Sequence, residues 1–200
     1  MIITASPHEA LSHHLVATGA DRMRHGAPQA LYTAVAALTG LAEIRGSHAT
    51  YSHLRPTRWR AWVVTSTHLA FVEFEFDGDD YDAQEEANRL DPAYRQSRAG
   101  ERLVSAWARP LVTALRLMSG GIDRDHTTAG PTGAFRLNQI AVEFADGTTV
   151  PAEETETLLL PMHRAEGDSL RWDDFVAAVR AGSPYLTLEL TADPPFQTPI

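Results

Sequence analysis

Residues 73–86 read EFEFDGDDYDAQEE and place eight carboxylates in fourteen positions. Clustered carboxylates suit a hard divalent cation, so a calcium loop is the first chemistry to test. A loop starting at Asp77 puts Tyr81 at its fifth position, Asp82 where glycine must turn the chain, and Asn88 where a bidentate Glu is needed. A loop starting at Asp80 fails at the same glycine and offers Asp91 as its last ligand. Local structure accounts for the acids better. Glu73 and Glu75 fit the solvent face of a strand that Asp77-Gly78 ends, and Asp82 and Glu85 form a capping box whose helix dipole favours Glu86. Only Asp79 and Asp80 are left without a role.

The nine histidines are the next candidates. His13 and His14 are adjacent and diverge around a helix, and His48 and His53 flank Tyr51 in an expected loop. No HExxH or HxH spacing of a metal site occurs, and with no cysteine a thiolate site is excluded. There is no GxSxG, GxGxxG or P-loop, and Ser47-His48 and Ser52-His53 are only sequence neighbours. Asp123-Arg124-Asp125-His126 is the best cluster for acid–base chemistry. The stretch HLRPTRWR (53–60) interleaves base and aromatic, making His53, Arg55, Arg58 and Arg60 the expected binding residues. On a chain of net charge −9, their expected counterpart is its own acidic segment or another protein, not nucleic acid.

Two hundred residues at 44% hydrophobic content fit a single domain. All 17 basic side chains are arginine. Before residue 70 lie six Arg, three acids and seven His, whereas 73–91 holds nine acids and one Arg. That asymmetry predicts two faces that attract each other or a partner. The first ten residues lack a basic and then apolar signal pattern, and LYTAVAALTGLAEI is too short to span a bilayer. A cytoplasmic protein with no membrane insertion is expected.

The positioning elements follow from periodicity. Ser6-Pro7-His8-Glu9 predicts a helix over 7–18, and Leu31, Val35, Leu38 and Ala42 predict a second over 28–44, ending by Gly46. WRAWVVTSTHLAFVEFEF (59–76) predicts two strands around Thr65-Ser66-Thr67, with Ala70, Val72, Phe74 and Phe76 on the core face. A helical insertion is expected over 79–99. Then come a strand to Trp107, a kink at Pro110, a second strand, and a glycine-rich loop over 119–133. Asp146-Gly147 predicts a hairpin, and the parity change between Leu137 and Ile140 predicts a bulge near Asn138-Gln139. A strand over 155–160 should follow. Trp172, Phe175, Val176 and Val179 mark a helix capped by Asp168 or Ser169 and stopped at Gly182, before an extended 183–200 tail.

The order of WRAWVVTSTHLAFVEFEF, SAWARPLVTALRLM, IAVEFADGTTV and LRWDDFVAAVRAG, four stretches spread over residues 59–182, resembles the bacterial pleckstrin-homology-like fold. The resemblance implies an α+β fold: a bent antiparallel sheet or partly open barrel over 58–182 with a C-terminal capping helix, plus two N-terminal helices (1–46) and the insertion. Members that bind phosphoinositides use basic residues at the first hairpin turn. Thr65-Ser66-Thr67-His68 has no Arg, so phosphoinositide binding is not expected. The reading that results is a non-enzymatic binding or scaffolding domain without a cofactor, contacting a protein partner or a second copy of itself. The alternative is a small metal- or acid/base-dependent enzyme using the His48/His53 or Asp125/His126 loops.

Overall fold

The computed structural model describes residues 11–18, 24–52, 56–76, 102–111, 113–123, 134–154, 166–182 and 185–186. The fold is α+β, with mostly antiparallel sheets and few helices. Strands β1 (Val16–Thr18) and β2 (Arg24–Gly26) form a small ribbon ahead of helix α1 (Gln29–Thr39). A four-stranded antiparallel meander follows: β3 (Ile44–Ser52), β4 (Thr57–Thr65), β5 (His68–Phe76) and β6 (Arg102–Pro110). The second sheet has the order β10-β7-β8-β9, from β7 (Thr113–Asp123), β8 (Ala134–Phe144), β9 (Thr149–Glu153) and β10 (Tyr185–Leu186), with β10 parallel to β7. Helix α2 (Glu166–Gly182) lies between β9 and β10 in sequence. The two sheets remain separate, so the strands do not close into a barrel. No helix among the described residues is long and apolar enough to cross a membrane.

Both faces of the first sheet are covered, as the unbroken apolar run Ala61–Val64 on β4 requires. On one face Trp59, Ala61, Val63, Ala70, Val72, Phe74 and Phe76 pack against Leu31, Tyr32, Val35 and Ala36 of α1, with Leu11 and Leu15 beside them. On the other, Trp62, Val64, Leu69 and Phe71 meet Ile140, Val142 and Phe144 of the second sheet and Trp172, Phe175 and Val179 of α2.

Several expectations hold in detail. The β4–β5 hairpin turns at Ser66-Thr67, Pro110 ends β6, and Gly147, at φ +80°, sits in the β8–β9 turn. The β7–β8 ladder is irregular opposite Asn138, where the parity change required a bulge.

Others need correction. Among the described residues of the expected first helix only Leu11 and Ser12 are helical; the chain turns at His13-His14, and Val16–Thr18 is a strand. The β-branched Val16 and Thr18 pair with β2 instead of continuing a turn. Helix α1 stops at Thr39 because Gly40 takes the left-handed conformation (φ 60°) and donates its N–H to Ala36. That early stop frees Ile44–Ser52 to form β3, a strand that replaces the expected loop around His48 and Tyr51. The first hairpin of the meander is therefore β3–β4, not β4–β5, which removes the premise on which headgroup binding was set aside. Helix α2 begins at Glu166, ahead of both expected caps, and β7 runs on to Asp123, into the expected glycine-rich loop. The insertion at 79–99, the strand at 155–160 and most of the tail lie outside the described residues.

Candidate functional site

The expected binding face is a charge ladder. Register across β4 and β5 sets Arg58 opposite Glu75 and Arg60 opposite Glu73. Arg58 Nη2 donates to Glu75 Oε1 at 2.8 Å, and Arg58 Nε and Arg60 Nε each lie 3.2 Å from Glu73 Oε1. Arg102 on β6 reaches the other oxygen of Glu75. The glutamate side chains, expected in solvent, are only 13% and 12% exposed beneath these guanidiniums. Hydrogen bonds from Arg102 and then Arg58 hold the Glu75 carboxyl below its ordinary range. The acidic stretch thus supplies the partners of Arg58 and Arg60. His53 and Arg55 lie outside the described residues, as do Asp125 and His126.

His48 is enclosed. It lies on β3 at 3% exposure, with ring centroids 5.7 Å from Trp62, 4.9 Å from Trp172 and 6.1 Å from Phe175. Its Nε2–H donates to the Glu153 carbonyl at 3.0 Å. Burial pushes its pKa down to about 4, against weaker opposition from the backbone bonds to Glu153 and Glu154. A neutral imidazole fixed inside an aromatic cage is a packing element, which takes it out of the surface loop chemistry expected of it.

The residues that do converge on open space surround a cleft of 720 Å³ between α2, the start of β3 and the His13-His14 turn. Gly46 makes this arrangement possible. A Cβ there would lie 2.6 Å from Ala178 Cβ and 3.0 Å from the Asp174 carbonyl, so only glycine lets α2 settle on the strand. The β3–β4 register slips between Ile44 and Gly46, leaving Arg45 as the unpaired residue of a β-bulge. An exposed guanidinium is thereby turned out of the ladder and into the cleft lining. On α2, Arg171, Asp174 and Ala178 follow helical spacing along the same wall, and the small Ala177 and Ala181 leave the volume open.

Two hydrogen bonds tie the walls together. Arg171 Nη1 donates to the Val16 carbonyl at 2.9 Å, and Ser47 Oγ and His14 Nδ1 share a bond of 3.0 Å. Burial, then the charges of His13 and Arg171, lower the pKa of His14. Among the described residues no group of three or more His, Cys, Asp or Glu side chains could hold a metal ion.

The residues of this cleft come from three distant segments, and sequence spacing could not assemble them. The signals available were the alanine-rich stretch 177–181 on an otherwise charged helix and a glycine, Gly46, inside what proves to be a strand. Comparison of the chain with protein families, curated proteins and solved structures gave no match.

Proposed function

We propose that the chain is a non-enzymatic binding module for a protein partner, and that the cleft between α2 and β3 is where the partner is taken. The observation that carries this reading is the bulge at Arg45, which brings a basic side chain to His13, His14 and Arg171 on a chain of net charge −9. Bulges that re-aim one side chain recur beside binding and catalytic sites. The order of a four-stranded meander, then β7-β8-β9, then helix α2 supports a pleckstrin-homology-like architecture for such a module.

A photo-activatable cross-linker placed at Ala177 in the cleft, against one at Ala145 in the β8–β9 turn, tests the reading in the cells that make the protein. Both positions are exposed. Adducts of defined mass should form from Ala177 and not from Ala145. The same adducts from both positions, or none from Ala177, would overturn it.

One observation favours a second reading, an acid/base enzyme: the Ser47–His14 hydrogen bond beside open volume. Ser47 is 5% exposed, and no described residue is shown orienting His14 Nε2, so a fluorophosphonate probe should leave Ser47 unlabelled. Labelling lost in Ser47→Ala would favour the enzyme.

A further inference from the structure

We propose that the occupant of the cleft is an acidic stretch of a protein partner, an extended segment carrying several Asp or Glu side chains, held by Arg45, Arg171, His13 and His14. This rests on the reading of the cleft as the surface that takes the partner, and adds the partner's chemistry.

Charge complementarity argues for it. Among the described side chains lining the cleft, two guanidiniums and two imidazoles stand against one carboxylate, that of Asp174, although acids outnumber bases in the whole chain by 26 to 17. These groups come from three walls: the His13-His14 turn, the β3 bulge and the first half of α2. Basic groups spread along an open cleft match several carboxylates on one strand of polypeptide better than a single compact anion. Arginine adds directionality, because its planar fork meets a carboxylate in two parallel hydrogen bonds. The fixed orientation of Arg171 on the Val16 carbonyl and of His14 on Ser47 means that two of the four groups are held in place before the partner arrives.

The same geometry makes recognition depend on pH. Among the described residues, the polar and charged groups that line the cleft with His14 are His13 from its own turn, Ser47 and Arg45 from β3, and Arg171 and Asp174 from α2. Burial first, then the charges of His13 and Arg171, favours the neutral ring of His14. A carboxylate arriving beside His14 reverses that balance, so binding takes up a proton and weakens as pH rises through the bound-state pKa.

Calorimetric titration with hexaglutamate, hexaglutamine and inorganic phosphate, at matched ionic strength, tests the inference. Hexaglutamate should bind, more tightly at about pH 6 than at about pH 8, with net proton uptake measured in buffers of different ionisation enthalpy. Arg45→Gln, an exposed position, should weaken binding by about three- to tenfold, and Ala177→Trp should abolish it by filling the cleft. Hexaglutamine should not bind, and phosphate should bind at least about tenfold more weakly than hexaglutamate. Failure of hexaglutamate to bind, phosphate binding as tightly, or an unchanged affinity in Arg45→Gln would overturn the inference. Should the cross-linked adducts at Ala177 persist in that event, the cleft would stand as the partner surface and only the ligand class would fall. Dimers that Arg45→Gln dissolves, without hexaglutamate binding, would replace the acidic partner by a second copy of the chain.

Discussion

A single buried imidazole sets a measurable acid sensitivity. His48 has a folded-state pKa of about 4 against 6.5 when exposed, so the unfolded chain binds its proton first as pH falls. Its contribution is complete above pH 6.5 and is lost between 6.5 and about 4, at about 1.4 kcal/mol per pH unit and roughly 3 kcal/mol in all. Urea midpoints should fall across that window, and His48→Phe should flatten the slope even if removing the donor to Glu153 lowers stability at neutral pH. An unchanged slope would mean that another group governs the transition. Thr50 gives a test of opposite sign. Its Oγ1 is buried with no hydrogen-bond partner among the described residues, so Thr50→Val should stabilise the fold by about 1 kcal/mol. Destabilisation would reveal a bound water or another acceptor. In the ion ladder, Glu75→Gln should cost about 1 kcal/mol at low salt and less at high salt, because its arginine partners are partly exposed. Part of this was legible in the sequence: the chain's own acids were a foreseeable counterpart of Arg58 and Arg60. That Glu73 and Glu75 would be half-buried was not, since alternation marks a strand's two faces but not what covers each of them.

At the scale of elements, local signals worked where a single residue type dictates conformation. Asp146-Gly147 made its hairpin, and Trp172, Phe175 and Val179 marked the buried stripe of α2. They failed where two neighbouring elements share one apolar pattern. Leu38 and Ala42 continued the periodicity of α1, and only the left-handed turn at Gly40 shows why the helix ends and β3 begins. The seat of α2 on β3 is the element-level contact on which the cleft depends. Gly46→Ala forces its Cβ against Ala178 and the helix backbone, and should cost about 1–3 kcal/mol. Pairing it with Ala178→Gly removes the closest clash but leaves the Asp174 carbonyl, so recovery should be partial. Full stability of Gly46→Ala alone, measured by thermal unfolding, would show that α2 does not lie where this contact places it.

Across the whole molecule, a sheet covered on both faces leaves its edges and rims as the surfaces open to the proposed partner. At the β3 edge the bulge at Arg45, the alanines of α2 and the His13-His14 turn leave a basic hollow on an acidic protein. The sequence placed recognition instead on 53–60, because basic residues close in sequence are visible there and basic residues brought together by folding are not. Chemical-shift mapping with hexaglutamate separates the two sites directly. Perturbations should concentrate at residues 13–14, 45–47 and 171–181. Shifts confined to Arg58, Arg60 and Arg102 would contradict the account and return recognition to the charge ladder.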